Sequence, residues 1–342
     1  MHTRRHFLKA VILGAAAGPG LTGCGRDAPA SRPSASPPAH RATRLRGDLF
    51  ETCHAVRDGQ ALPVAEVGAS HDVVIVGGGP SGLSAVHLLR DRDLLLLEKE
   101  DAFGGNCMLD EWEGVKISTG GAFYTKSEKD VVALFAEIGA NGMKVRGGDS
   151  LVIDGTPVTR FFQDGADALP FPQKARDDFK RSREDMLKLV VTRRPEELDA
   201  YDNWFLDAPF TDFIPADWVI HSGHGPKQRK TALTVYHPLP EARRKELLAD
   251  DLVLEMADGV ADALERHFPG TLPKIAEIRA HRRGHPMFIA TPGRMSLVKR
   301  AAAPFGPILF ANTDSEATVS SFDGAVVAAK RAAEQARKFL RG

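Results

Sequence analysis

Short apolar runs and helix-spaced apolar stripes alternate along most of this chain. Residues 72–76 (DVVIV) predict a buried strand, and Ser81–Arg90, with Leu83, Val86, His87 and Leu89 spread round it, predicts a helix. Leu94–Leu97 is a continuous apolar run, the pattern of a strand in a parallel sheet covered on both faces. Lys129–Ile138 carries apolar residues at 131, 134, 135 and 138, a stripe along one helix face that Gly139 stops. Residues 173–199 are strongly charged with spaced apolar positions and predict exposed helices. Ala232–Tyr236 predicts a strand and Glu241–Phe268 a largely helical stretch with Gly259 as its weak point. Ile308–Ala311 predicts a short buried strand and Gly324–Leu340 an alanine-rich closing helix. Strands alternating with helices predict an α/β fold.

At 342 residues the chain can form one large or two ordinary domains. Lys+Arg and Asp+Glu both total 45, so charge gives no reason to expect nucleic acid, and a small-molecule substrate is the expected partner. No Cys-x-x-Cys or Cys/His cluster stands at metal spacing, and His221-Ser222-Gly223-His224 reads as a polar loop, so no metal is expected. Cys53 and Cys107 leave two readings open, a disulfide in an oxidising compartment or two unpaired thiols.

The first residues have a different character. A basic start is followed by an apolar stretch, Ala10 to Leu21, that is too short to span a bilayer, which is the layout of a secretory signal. Thr3-Arg4-Arg5-His6-Phe7-Leu8-Lys9 resembles the twin-arginine export motif, and Leu21-Thr22-Gly23-Cys24 resembles a bacterial lipobox. The resemblance implies export of a folded protein, lipidation at Cys24 and tethering to a membrane outside the cytoplasm. It also raises the expectation of a cofactor taken up before export. Removing residues 1–23 takes three basic and no acidic residues from 45 of each, leaving 42 against 45. Residues 25–47, rich in Pro, Ala and Ser, predict a flexible tether.

Chemistry begins at VVIVGGGPSGLSA, residues 73–85. Gly77, Gly79 and Gly82 form G-x-G-x-x-G between a strand and a helix, with Pro80 and Ser81 inside the turn. The first glycine allows the tight turn, the second admits a phosphate to the backbone, and the third lets helix and strand pack closely. The helix N-terminus then faces a pyrophosphate. Glu98 ends the second strand, where an acidic side chain accepts hydrogen bonds from ribose hydroxyls.

Beyond it, Glu98-Lys99-Glu100-Asp101-Ala102-Phe103-Gly104-Gly105-Asn106 brings a second glycine pair. Here the sequence resembles the amine-oxidase type of FAD flavoproteins, the group of monoamine oxidases, phytoene desaturases and protoporphyrinogen oxidases. The resemblance implies that Glu98, Lys99, Gly104, Gly105 and Asn106 line an FAD channel. Phe305–Asp314, followed by Ser321-Phe322-Asp323-Gly324-Ala325, resembles the family's closing FAD motif, which gives Asp314 the acidic role and Gly324 and Ala325 the close approach. FAD is expected to be noncovalent, because no Cys follows Cys107.

The resemblance implies hydride transfer from an amine or an activated C–H to FAD. His285, in Arg282–Met287 ahead of Thr291-Pro292-Gly293, is the catalytic candidate, as a base, a substrate contact or a structural turn residue; Tyr124, Tyr236 and Lys126 are weaker candidates. The middle region is short for the family, with Pro209 and Pro215 bracketing the missing stretch. The alternative is therefore a truncated, inactive relative that binds a partner or nothing. The expected organisation is a signal (1–23), a tether (24–47), a Rossmann-like FAD-binding domain (48–125 and 285–342) and a shortened α+β substrate domain (126–284).

Overall fold

The computed structural model describes residues 41–341 apart from 49, 65, 67, 122–123, 125–127, 141, 143–148, 191–202, 216–231, 289–290 and 317–319. The export signal, Cys24, Lys126, His221 and His224 lie outside the described residues. No described helix is long and apolar enough to cross a membrane.

The first unit grows from the glycine turn. Strand β2 (Val73–Val76) leads into helix α2 (Pro80–Leu88), which returns to β3 (Leu94–Leu97), and the two strands pair in parallel from Val73 opposite Leu94 to Val76 opposite Leu97. Only Asp91-Arg92-Asp93 and the end of the helix are available for the return, so the turn is tight. The closing helix α7 (Phe322–Phe339) lies across α2. Its buried face is almost all alanine, at 325, 328, 329, 332, 333 and 336, so the two backbones approach closely. Leu89, Ala333 and Ala336 form the core there, with Val73, Leu88, Leu94 and Leu309 packed round them. Helix α3 (Lys129–Ile138), which the sequence placed in the second domain, packs on α7 through Phe135 against Phe322 and Asp130 against Lys330. It belongs physically with the glycine turn.

The second unit is a five-stranded mixed sheet in the order β10-β9-β8-β6-β7. Its members are β6 (Ser150–Ile153), β7 (Thr156–Thr159), β8 (Asn203–Phe205), β9 (Asp212–Pro215) and β10 (Leu233–Tyr236). Helix α5 (Asp250–His267) covers one face, where Val152, Phe205, Phe210, Ala263 and Leu264 are buried together. Gly259 does not interrupt this helix. On the other face Leu151, Val158 and Leu169 pack with Phe161 and Phe179, the last from helix α4 (Gln173–Val190). Within the stretch 207–217, where the sequence resemblance leads one to expect a longer segment, a turn joins β8 directly to β9, closed by Phe205 N–H donating to Thr211 O at 2.9 Å.

A hairpin of β4 (Leu109–Trp112) and β5 (Val115–Ser118) and a parallel pair of β1 (Ala42–Gly47) with β11 (Ile278–Arg282) join the two units, and two short helices, α1 (Phe50–His54) and α6 (Arg294–Ala301), are the remaining α-helices of the described residues. Three expectations are corrected here. Residues 42–47, assigned to the tether, form β1, because β11 offers them a parallel edge. The sheet β2–β3 is covered on one face only: Val74, Val76, Leu95 and Leu97 are exposed, since no third strand or helix layer among the described residues lies over them. Residues 308–311 form no strand and are unpaired apart from one bridge between Phe305 and Ile308, and Ile308 is 54% exposed. Their backbone is held instead by Arg331, whose guanidinium donates to Phe310 O (2.8 Å) and Ser315 O (2.6 Å). The Cys107 thiol is free, so it forms no disulfide with Cys53.

The alanine face of α7 sets a testable limit. Ala333→Leu has no room beside Leu89 and is expected to lower stability by about 1–3 kcal/mol in urea denaturation, while Glu334→Ala on the exposed side of the same helix leaves it unchanged.

Candidate functional site

The turn after β2 is shaped by backbone contacts. Gly77 has φ +101°, which side-chain-bearing residues rarely adopt, and its N–H donates to Leu97 O at 2.7 Å. A Cβ on Gly82 would lie 1.8 Å from Gly77 O, so only glycine lets α2 start where it does. Gly79 is different. Its φ of −76° is ordinary, and a Cβ there would meet nothing nearer than Gly105 Cα at 3.8 Å. The fold does not require glycine at 79; the space beside it is open, at the N-terminus of α2, where free N–H groups and the helix dipole favour an anion.

The second glycine pair closes on the first. Gly104 N–H donates to Gly78 O at 2.9 Å, and Gly105, with φ +53°, sets its backbone against Gly79 Cα. Glu98 ties the two together: one carboxylate oxygen accepts from Gly78 N–H at 2.6 Å and the other from Lys99 and Glu100 N–H at 2.8 and 3.0 Å. Burial pushes this carboxyl up, but the three backbone donors outweigh it and hold Glu98 below the usual glutamate value. The side chain of Lys99 pairs with Glu100.

The closing segment reaches the same turn. Ser81 Oγ donates to Ala311 O, which binds the start of α2 to the extended residues 307–312. Asp314 sits in a single 3-10 turn, Thr313–Ser315, with its side chain exposed. Gly324 and Ala325 are buried in the first turn of α7, where Ser321 Oγ caps Gly324 N–H at 3.1 Å.

A cavity of about 2280 Å³ runs from this turn towards the second unit. Of the sequence-derived candidates, Gly77, Gly79, Pro80, Ser81, Gly82, Asn106, His285, Ala325 and Tyr236 line it. Glu98, Lys99, Gly104, Gly105, Asp314 and Gly324 do not; the structure places the first four behind the turn as its support. His285 is exposed at the cavity mouth. Tyr124 packs edge-on against Phe135, a core role.

Strand β11 supplies what motif reading missed. Arg279 and His281 alternate along it and so share one face, and Arg283 follows directly after its last residue. Arg279 donates to Asp110 Oδ1 (2.7 Å) and grips Glu277 with two further bonds of 3.0 Å. His281 Nε2 lies 3.4 Å from Asp110 Oδ2 and is kept neutral by burial, which lowers its pKa despite that carboxylate. Arg283 donates to Asn106 Oδ1 (3.1 Å) and Thr119 Oγ1 (3.4 Å), next to the second glycine pair. Burial is the main reason the nearby Cys107 thiol titrates high, so it stays protonated at neutral pH. Arg282, on the opposite face, turns away to Asp250 and the Phe50 ring. No group of three or more metal-ligating side chains converges among the described residues.

Comparisons with known proteins agree with this geometry. Residues 75–138 match the model of the NAD(P)-binding Rossmann-like domain. Flavin-containing amine oxidase A of the dog, Canis lupus familiaris, is 38% identical over 88 residues, covering 25% of this chain and 17% of its own. Putrescine oxidase of Kocuria rosea is 32% identical over 97 residues, covering 27% and 20%. The matched segment thus spans about a fifth or less of these curated relatives. A solved variant of putrescine oxidase, from a structure-based redesign of its cofactor binding, overlays 79% of this chain and 99% of its own with a TM-score of 0.50 at 14% identity, a likeness of fold. Residues 75–138 are therefore similar to a Rossmann-like NAD(P)-binding domain, and a quarter of the chain is similar in sequence to flavin-containing amine oxidases.

The Glu98 tether has a pH signature. A carboxyl held below its usual value stabilises the fold fully above the unfolded value near 4.5 and loses that contribution as pH falls through the folded one. In thermal melts from neutral pH to about pH 3, the stability gap between wild type and Glu98→Gln is expected to be widest near neutrality and to shrink below about pH 4.5; a constant gap would show that the carboxylate is not held by these donors.

Proposed function

We propose that this chain is an FAD-dependent oxidoreductase of the amine-oxidase type that binds FAD without a covalent bond. The observation that carries the reading is Gly79: a glycine the fold does not need, whose open side adjoins a helix N-terminus and a long cavity. The residues fit the cofactor, with Gly77–Gly82 at the pyrophosphate and Gly105 and Asn106 beside it. The closing residues 307–313 and Ala325 line the further wall. Glu98 keeps the turn in shape and retains acceptor capacity for ribose hydroxyls, since three donors do not exhaust its two oxygens. Asp314 and Gly324 support the closing segment from outside the cavity wall. When bound, FAD would accept a hydride from an amine or an activated C–H.

The chain's own residues contribute position and exclusion of water. Apolar side chains of β10 and α5 close the cavity on the substrate side, among them Val235, Val253, Val260 and Leu264. Arg283 fixes Asn106 beside the turn and His285 stands at the mouth, placed for a substrate contact. The N-terminal residues extend the reading to a lipid-tethered protein outside the cytoplasm. One observation favours the alternative of an inactive relative: the β2–β3 sheet has two strands and a bare apolar face among the described residues.

Two glycine variants separate binding from folding. Gly79→Ala is expected to melt like the wild type yet lose at least about tenfold in FAD affinity, because its methyl group occupies the space beside the helix N-terminus. Gly82→Ala is expected to fail at folding itself, since its Cβ collides with Gly77 O. Flavin absorbance of the purified protein, and its anaerobic bleaching by a panel of amines, completes the test. A colourless protein that refuses added FAD would establish the inactive relative.

A further inference from the structure

Between Gly284 and Thr313 the chain runs for thirty residues without one Asp or Glu, where 45 acidic residues in 342 would place about four. The same stretch keeps Arg294, Lys299 and Arg300. Most of residues 291–310 are exposed. Helix α6 turns Val298 inwards and leaves most of its circumference in water, where a surface helix ordinarily presents polar side chains. Here Met295 and Leu297 are exposed beside Lys299 and Arg300.

The chain path extends this surface. Three residues join α6 to Ala302–Pro304 and on to Phe305, whose backbone bridges Ile308. Leu309 then packs on Ala333 and Ala336 in the C-terminal half of α7, and Ile308 lines the cavity with Phe339 and Leu340. Met295, Leu297, Phe305, Ile308 and Phe339 are each more than half exposed. Phe339 is flanked in its turn by Lys338 and Arg341. Arg331 and Arg337 on α7 are matched by Glu316 and Asp91, whereas Lys299, Arg300, Lys338 and Arg341 pair with no described carboxylate. Asp314, exposed, stands where the acid-free stretch ends.

An apolar patch alone would fit many partners, and a basic patch alone would suit nucleic acid. Leu, Met and Ile side chains gain nothing from a phosphate backbone. Apolar and basic side chains interleaved match a boundary with an apolar interior and an anionic border, which is a phospholipid surface. That surface also supplies the opposing charge that the four basic residues lack within the protein.

We propose that α6, the Phe305–Ile308 turn and the end of α7 form a contact face for an anionic phospholipid bilayer. Met295, Leu297, Phe305 and Phe339 enter the headgroup layer, while Lys299, Arg300, Lys338 and Arg341 stay with the phosphates. Helix α6, at eight residues, lies along the bilayer and is far too short to cross it. The contact needs neither FAD nor a lipid on Cys24, although such a tether would raise its effective concentration.

The test uses the full chain carrying Cys24→Ser, which no lipid can modify, and vesicles of phosphatidylcholine with or without a quarter of phosphatidylglycerol. Sedimentation is expected to show at least about tenfold stronger binding to the anionic vesicles, weakening as salt rises. Hydrogen exchange is expected to slow at residues 294–308 and 338–341 on those vesicles and to stay unchanged in β6 and β7. Lys299→Gln combined with Arg300→Gln is expected to lower binding about tenfold or more, and Leu297→Ser several-fold, at unchanged melting temperature. These three positions are exposed, so the substitutions leave the core intact. Protection confined to residues 1–40, or variants that bind as the parent does, overturns the proposal. Duplex DNA that protects the same residues while vesicles do not also overturns it. Flavin absorbance of the same samples keeps the two readings apart: a colourless protein that docks loses the oxidase reading and retains the contact face, and a flavin-bearing protein that stays in solution shows the opposite.

Discussion

Close approach of two backbones at residues 77–82 is the constraint on which the rest of the structure depends. The carbonyl of Gly77 occupies the space where any other residue at 82 would place its Cβ, so β2 and α2 are locked in one relative position. That position brings Gly79 against Gly105, Gly78 within reach of Glu98, and Ser81 against Ala311. Two later stretches, 98–105 and the one at 311, are thus pinned to a turn of six residues. The alanine face of α7 serves the same requirement, because larger side chains would lift the closing segment off the turn.

Strand β11 carries that geometry into the second unit. Its pairing with β1 fixes its path; its Arg279 and His281, with Arg283 just beyond its end, reach the β4–β5 hairpin and Asn106 on one side, while Arg282 holds α5 through Asp250 on the other. The five-stranded sheet docks through hydroxyls, Thr234 and Tyr236, on carbonyls of residues 118 and 120. These are polar contacts at part-buried positions, worth about 1 kcal/mol each at most in net terms, so they set orientation more than stability. Apolar packing of β8, β9 and α5 holds the second unit together on its own account.

Much of the first unit was legible in the sequence because its determinants are local. Gly77, Gly79 and Gly82 follow an apolar strand at fixed offsets, and the stripe from Lys129 to Ile138 ends at Gly139, which adopts φ +69° as a helix-terminating glycine does. What was not legible depends on partners far along the chain. Residues 42–47 have the composition of a tether and become a strand because β11, more than 230 residues later, presents an edge. Leu94–Leu97 reads as doubly buried, yet burial also needs a second layer, and none among the described residues covers Leu95 or Leu97. The Ile308–Ala311 run is apolar enough for a strand but finds no edge, and Arg331 satisfies its carbonyl at 310 instead.

A bare sheet face bears less on the proposed dinucleotide binding than it suggests. The parts that shape the phosphate site are β2, α2, the end of β3 and α7, and all lie on the covered side or at the strand ends. Val73 and Leu94 point into the α2–α7 core, and the donors that hold Glu98 come from the backbone of the turn and of the two following residues. None of these contacts passes through Val74, Val76, Leu95 or Leu97. What a fuller sheet would add is support for the far end of a long ligand, and on the proposed reading that end would face residues 307–313, which are held by the Arg331 guanidinium and the Ser81 hydroxyl. On the proposed FAD-binding reading, the phosphate half of the site would rest on local backbone geometry and the other half on two side chains, Arg331 and Ser81, so that affinity would be more sensitive to Arg331 than to the uncovered strands.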